Sequence, residues 1–215
     1  MTTDFLSIAR WAACGLAGLV LGTACAFAQD SSGDLGAQFL RQVYVDRYAS
    51  LPPLPEMALM AFVAAQDRNF MERAPEYSTV TRALAGTLAA PGTGASERLA
   101  LAARLGSALT REEILNAYVQ TVFLGHGCHG ARAAALAYLG REIESVDARG
   151  LALLAALVDG SAVLDPQTQH DALLERRNFV LREMVSIGAL TLGQAQAAQA
   201  AHLDLADPVV PCAGP

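Results

Sequence analysis

The chain has 215 residues, which is enough for one domain with a small extension. Hydrophobic residues make up 53% of it and aromatic residues only 6%, a composition that favours a helical globule over a β-sandwich. The formal net charge of −6 gives no global case for nucleic-acid binding. Because all 15 basic residues are arginine, Schiff-base chemistry and lysine-based phosphate loops are excluded.

The first 28 residues have the pattern of a hydrophobic leader. Residues 11–28 carry no charged side chain, and Ala26-Phe27-Ala28 fits the small-x-small rule for signal-peptidase cleavage before Gln29. A retained membrane anchor is the alternative, since about 20 residues suffice to span a bilayer; a lipoprotein signal is a weaker third. Each version predicts export to the periplasm or to the outer face of the cytoplasmic membrane. Membrane association is predicted as well.

The next segments are predicted to lead into a helical domain. Residues 29–50 are assigned to a linker and a short lead-in, and "LPPLP" at residues 51–55 is too rigid to lie inside a helix. From Glu56 the chain is predicted to be helical, and this helix ends in the polar cluster "QDRNF" at residues 66–70. Residues 88–95, "LAAPGTGA", are predicted to be a break or a mobile loop.

The second half is predicted to consist of helices with short connections. Thr110 with Glu113 and Thr191 with Gln194 have the spacing of capping boxes, which satisfy unpaired amides at a helix start. Between them lies the turn "GHGCHG" at residues 125–130. Helices are predicted over 114–119 and neighbouring residues, 131–139, 151–158, 176–187 and from 191 to about 202.

Two of the four cysteines lie in the leader, which leaves Cys128 and Cys212. In an oxidising compartment these two could pair and tie the C-terminal tail to the body of the domain. Two unpaired buried thiols are the alternative, and the sequence leaves both open.

Four segments occur in the order and spacing of the family 51 glycosyltransferases, the peptidoglycan polymerases found alone or as the first domain of bifunctional penicillin-binding proteins. They are "VAAQDRNF", "LTREEILNAYVQTVFLGHGCHGARAAALAYLG", "LALLAALVDGSAVLDP" and "RRNFVLREMVSIGALTLGQAQAA". The domain that resembles this family is assigned to residues 51–203, with an irregular tail over 204–215. The resemblance implies an all-α, partly lysozyme-like single domain that joins lipid II to a growing glycan strand. No cofactor is predicted for this chain.

The resemblance also implies two glutamates, a general base on the attacking sugar hydroxyl and a second acid at the departing pyrophosphate. The first falls on Gln66, followed by the retained Asp67 and Phe70. An amide cannot accept a proton at neutral pH, and loss of a general base typically slows a reaction about 10²–10⁴-fold. The second falls on Arg98, with Glu97 one position away, about 100° around a helix.

Other groups that the family uses are missing as well. Its Ser-Thr-Ile-Thr-Gln-Gln segment, which holds the pyrophosphate, has no counterpart between Gly86 and Ala95. Gln120 stands in place of an asparagine, and Gly150 in place of an acidic residue. Hydrophobic helix positions, turn glycines and capping residues survive. The sequence therefore predicts a domain that kept its scaffold and lost lipid II polymerisation.

Each candidate site residue has a structural alternative. Asp67 is either a displaced base or an anchor that bonds the backbone or an arginine. Arg68 is predicted to be its partner, with a lone surface charge as the alternative. Glu97 is a possible shifted second acid or a solvated surface acid. Arg68, Phe70 and Arg98 are candidate substrate-binding residues, although Phe70 also fits the core.

Two further groups favour structural roles. His126, Cys128 and His129 invite a metal interpretation, but a zinc site needs a second ligand cluster, and the resemblance explains these residues as a family turn. No metal is therefore predicted. Arg176 and Arg177 are predicted to support packing, with phosphate binding as the alternative.

Three functions are carried forward. The first is a non-catalytic envelope protein that binds lipid II, a nascent glycan strand or a cell-wall synthesis protein. The second is an active peptidoglycan glycosyltransferase that uses Asp67 or Glu97 in a non-standard site. The third is a structural envelope protein without a ligand.

Overall fold

The computed structural model describes residues 36–159, 162–163 and 168–212. The predicted signal peptide or anchor and the first part of the predicted linker lie outside these residues. Within the described ranges, no helix combines the length and the apolar character needed to cross a membrane.

The described residues form one helical domain, as the sequence predicted. A small departure is an antiparallel pair of two-residue strands, β1 (Val158–Asp159) and β2 (Ala162–Val163). The helices are α1 (36–44, continued by a π-helical turn at Val45–Ala49), α2 (Glu56–Gln66), α3 (Thr79–Leu88), α4 (Ala95–Ala108), α5 (Arg111–Thr121), α6 (Ala131–Leu139), α7 (Ala148–Ala156), α8 (His170–Ser186) and α9 (Leu192–Ala200), with 3₁₀ turns at Pro75–Tyr77 and Ile143–Ser145.

Helix α2 lies at the centre of the fold. It packs against α7 and α8, while α3, α4 and α5 pack against one another on its other side. Five consecutive residues of α2, Ala61–Ala65, are buried, because small alanines around Phe62 let neighbouring helices approach on several sides. Burial of each large apolar side chain in this core, such as Phe62 or Leu154, stabilises the fold by about 1.5–3 kcal/mol.

The predicted helix boundaries are confirmed where capping is local. Thr110 Oγ1 accepts the Glu113 amide at 3.2 Å, and the Glu113 carboxylate accepts the Thr110 amide at 2.8 Å. The second box, at Thr191 and Gln194, is also present, and α6 has the predicted bounds.

Two predicted helix starts are wrong, and α7 ends at Ala156 rather than at the predicted residue 158. Helix α7 begins at Ala148 rather than at 151, because Asp147 accepts the Gly150 amide at 2.9 Å and caps the helix one turn earlier. Helix α8 begins at His170 rather than at 176, because Leu173 extends the buried face by a turn.

Residues 36–49, within the segment assigned to the linker and lead-in, form helix α1. Leu40 and Tyr48 are buried against the core. Arg41 pairs with Glu113 at 2.7 Å and donates to the carbonyl of Ala108 at 3.1 Å. Helix α1 is therefore packed on the corner between α4 and α5.

Arginine side chains fasten helix ends and loops by donating to main-chain carbonyls. Arg41 donates to the last residue of α4, and Arg176 donates to the Ala65 carbonyl in the last turn of α2 at 3.2 Å. These carbonyls have no partner within their own helix, and the guanidinium supplies one. The carbonyl-binding arginines are Arg41, Arg111, Arg132, Arg176 and Arg177.

The turn at residues 125–130 joins α5 to α6 and carries positive φ angles at Gly125, His126, Gly127 and Gly130. A Cβ at Gly130 would lie 2.4 Å from the Gln120 carbonyl oxygen, so only glycine fits there.

The same turn carries a disulfide between Cys128 and Cys212, which are 84 residues apart. The paired alternative is thus confirmed, and the alternative of two unpaired thiols is wrong. Residues 201–212 have no regular secondary structure and run along α6 to reach this bond.

Candidate functional site

The residue in the position of the predicted general base, Gln66, ends helix α2 and is half-buried. Its Nε2 donates to the carbonyl oxygen of Val158 in β1 at 2.9 Å. An ionised carboxylate cannot donate this bond. The site is therefore built around an amide at this position.

Asp67 is 7% exposed, and both of its oxygens have partners. Oδ2 accepts the amide of Thr79 at the start of α3 at 3.1 Å, and Oδ1 lies 3.6 Å from Nε of Arg73. The carboxylate thus anchors the loop after α2 to the start of α3, which is the structural alternative given above. The predicted partner was wrong, because Arg68 instead pairs with Glu183 of α8 at 3.5 Å.

The loop after α2 is held by a residue that the sequence did not single out. Arg111, the first residue of α5, donates from Nη1 to the carbonyls of Phe70 and Arg73 at 2.9 and 2.5 Å. Phe70 is 1% exposed and belongs to the core, so its ring does not face a cleft. Nothing in the local sequence marks Arg111 as a clamp, because its acceptors lie about 40 residues earlier in the chain.

An open groove of about 910 Å³ lies between α3 and α4. Arg82 lies on the α3 side and Arg98 on the α4 side, and the exposed side chains of Tyr77 and Leu99 also line it. Within the described chain, neither arginine has a hydrogen-bond or ion-pair partner. Gly86 and Ala83 line the groove with small residues. The groove thus combines apolar surface with two arginines and one acid, Glu76. This lining carries a net positive charge, which suits an anionic ligand with an apolar part.

The candidate second acid has a local structural role. The Glu97 carboxylate accepts the amide of Gly94 at 3.1 Å and so caps the start of α4. Glu97 does not line the groove, whereas its neighbour Arg98 does. The structure thus places Arg98 at the groove and leaves Gln66, Asp67 and Phe70 together at the end of α2.

Two further groups can be assigned from their surroundings. Burial raises the pKa of Tyr118 well above its usual range, so this phenol stays protonated at neutral pH and cannot replace the missing base. Arg177 is fully buried and donates to the carbonyls of Gln199, Ala201 and His202 at the end of α9, which confirms its packing role.

One of the three candidate metal ligands in the turn at residues 125–130, Cys128, is not available to bind a metal. The sulfur of Cys128 is bound to Cys212 and cannot act as a thiolate ligand. Across the residues that the structure describes, no three His, Cys, Asp or Glu side chains are grouped so as to hold a metal ion.

The transglycosylase family model matches residues 78–185 of the chain. This match includes the groove residues Arg82 and Arg98 and begins after Gln66.

The chain is also similar to long proteins. Penicillin-binding protein 1A of Aquifex aeolicus is 28% identical over 169 residues, which cover 67% of this chain and 23% of that protein. Penicillin-binding protein 1A of Escherichia coli is 27% identical over 189 residues, which cover 76% and 22%. A crystal structure of penicillin-binding protein 1A from Haemophilus influenzae gives a TM-score of 0.49 at 21% identity, covering 71% of this chain and 17% of that chain. The chain thus spans less than a quarter of the length of these relatives.

Proposed function

The chain belongs to the transglycosylase family, and from this premise we propose that it is a non-catalytic member that acts in the cell envelope by binding. Its ligand is a cell-wall precursor such as lipid II, a nascent glycan strand or a polymerase partner. The main support for this proposal is the hydrogen bond from the Gln66 amide to the Val158 carbonyl. In this bond the side chain at the position of the expected base donates a proton, whereas a general base has to accept one.

The other acids near the site support the same conclusion. Asp67 caps α3 and pairs with Arg73, and Glu97 caps α4. Use of either residue as a base would therefore disturb a helix start.

The groove between α3 and α4 supports ligand binding. Two arginines without partners in the described chain outnumber the one acid that lines the groove, Glu76, so the groove is net positive although the whole chain carries a formal charge of −6. A diphosphate attached to a lipid chain would meet Arg82 and Arg98 with its charges and Leu99 and Tyr77 with its apolar part.

The disulfide supports an exported location. Disulfides between ordinary structural cysteines persist mainly in oxidising compartments, and the Cys128–Cys212 bond lies within the body of the fold. This agrees with the leader predicted for residues 1–28 and supports the proposal that the protein acts in the periplasm or at the outer face of the cytoplasmic membrane.

The catalytic part of the proposal is tested by incubating the purified protein with labelled lipid II and sizing the products. We expect no polymer. Polymer formation that disappears in Asp67→Ala would overturn the proposal in favour of an active enzyme with a non-standard base.

The binding part is tested by titrating labelled lipid II and short glycan strands against the same protein. We expect binding that weakens in Arg82→Ala and Arg98→Ala, while Arg104→Ala, an exposed arginine of α4 that does not line the groove, serves as the matched control. Failure to bind either ligand would leave only a protein partner.

A further inference from the structure

The C-terminal tail, residues 201–212, is held at two places by different chemistry. In its first part, the buried guanidinium of Arg177 donates to the carbonyls of Ala201 and His202 at 2.9 and 3.3 Å. Asp204 pairs with two arginines at 2.7 and 3.4 Å. These contacts come from side chains of the folded body and are independent of the disulfide.

The last part, residues 205–212, is here called the strap. The amides of Ala206 and Val210 donate to carbonyls in the last turn of α6, at 2.7 and 3.3 Å. The amide of Cys212 donates to the carbonyl of His126 at 2.9 Å, beside the disulfide. Among the described residues, no ion pair involves the strap. It is therefore fastened by a few backbone bonds, partly buried apolar side chains and one covalent link.

We propose that the strap is a redox-controlled cover on the end of α6. It docks when the Cys128–Cys212 bond is present and detaches when the bond is reduced, while residues 201–204 stay in place. With the bond intact, both ends of the strap are fixed, so its backbone bonds need little further ordering of the chain. Without the bond only a few backbone bonds and partly buried side chains hold the strap, in which Val210 is 59% exposed, and segments with so few contacts open readily.

The two sulfurs differ in solvent exposure, and this difference determines which of them a reductant attacks first. Cys128 is fully buried and Cys212 is only partly buried. A thiolate from a reducing thiol attacks Cys212 Sγ, and the bond to Cys128 breaks with its electron pair on Cys128, which takes up a proton. A second thiolate then displaces Cys212 as a thiol and leaves the reductant as a disulfide. Docking is the reverse exchange with a disulfide donor, in which both cysteines lose their protons and two electrons.

Detachment has a defined structural result. The carbonyls of Ala137 and Tyr138 in the last turn of α6 lose the hydrogen bonds that they accept from strap amides, and water must supply the replacement donors. The turn at residues 125–130, with its positive φ angles, loses its only covalent tie to the tail among the described residues. The strap therefore docks only after the chain meets an oxidising environment.

The proposal is tested by amide hydrogen exchange with mass spectrometry at the shortest labelling times, on the whole protein with and without a phosphine reductant. We expect the amides of Ala206, Val210 and Cys212, which donate to backbone carbonyls, to lose protection by more than about tenfold on reduction, while α2–α5 stay protected at the same labelling time. Reoxidation with oxidised glutathione should restore the protection.

Two variants keep the test specific. Cys212→Ser without reductant should match the reduced protein and give no further response to reductant. Asp204→Asn, which weakens the other attachment, should leave the redox response of the strap in place. Strap protection that is unchanged by reduction and in Cys212→Ser would overturn the proposal, as would an equal loss in α2–α5 at the same labelling time.

Discussion

The atom that the Gln66 side chain faces indicates whether an amide or a carboxylate suits this position. Its amide nitrogen lies 2.9 Å from the carbonyl oxygen of Val158, and an oxygen in that place requires a donor. A glutamate in the same conformation has a donor only while it is protonated. An ionised carboxylate would bring two acceptor oxygens together at a half-buried position, so the surroundings suit the amide.

We expect Gln66→Glu to lower the free energy of unfolding by about 1–3 kcal/mol at neutral pH, because the Val158 carbonyl loses its donor. Only the protonated form of the new carboxyl can donate, so its pKa should rise in the folded state, and its stabilising bond is present at acid pH and lost as the pH rises. Denaturant unfolding of both proteins at about pH 4 and about pH 7 measures the difference, which should shrink at the lower pH. An equal difference at both would contradict this explanation. The variant should still form no polymer from lipid II.

Gly86 offers a way to fill the groove without disturbing the core. A Cβ at this position in α3 would meet no atom within 4 Å, and the residue lines the groove. We expect Gly86→Ala to raise the free energy of unfolding by about 0.5–1 kcal/mol, because alanine loses less backbone entropy in a helix. Gly86→Trp should keep the helical circular dichroism but bind labelled lipid II more weakly than Gly86→Ala. Equal binding by the two variants would place the ligand elsewhere.

Between elements, the loop after α2 depends on the first residue of α5. Arg111 holds this loop through two carbonyls, and hydrogen bonds from a charged donor contribute about 1.5–3 kcal/mol. We expect Arg111→Ala to lower the free energy of unfolding by that order and to speed amide exchange over residues 70–74. Helix α5 itself should persist, since Thr110 and Glu113 still cap it. Arg104→Ala is the control, and loop exchange that is the same in both variants would argue against the clamp.

The ion pair between Arg132 of α6 and Glu144 of the 3₁₀ turn at Ile143–Ser145 should make the stability of the fold depend on pH. The hydrogen bond from Arg132 is the main cause that lowers the pKa of the exposed Glu144. The stabilisation from this pair is therefore complete above the pKa of a free glutamate and is lost as the pH falls through the lower, folded-state value. Thermal unfolding between about pH 3 and pH 6 should show a smaller loss of stability on acidification in Glu144→Gln than in the wild type. Parallel curves would mean that the pair adds nothing.

The sequence predicted those elements whose signals lie within one helical turn. Both capping boxes and the bounds of α6 follow from neighbouring residues, and the helical fold follows from the same spacings. The partner of Asp67 was assigned to the adjacent Arg68, whereas the loop brings Arg73 to it instead. The groove, the Arg111 clamp and the choice between a disulfide and free thiols depend on helices that meet only in the folded chain, which spacing alone does not reveal.

For the whole molecule, the disulfide closes a loop of 84 residues that contains α6, α7, α8 and α9. Such a link stabilises mainly by restricting the unfolded chain, and its removal typically costs about 2–5 kcal/mol. We expect Cys212→Ser to shift the denaturant midpoint downward, and reduction of the wild type to shift it by a similar amount. A reduced wild type with an unchanged midpoint would show that this loop restricts the unfolded chain little.

The five carbonyl-binding arginines have a consequence for work in alkaline solution. An ammonium group would discharge near pH 10.4, whereas a guanidinium keeps its charge and its fan of donors beyond about pH 12. Burial lowers the pKa of Arg177, so strong base should weaken its hydrogen bonds at the end of α9. A fold held by guanidinium groups should in general tolerate base that would loosen a lysine-built counterpart. The chain also offers no ε-amine to reagents that modify or crosslink lysine.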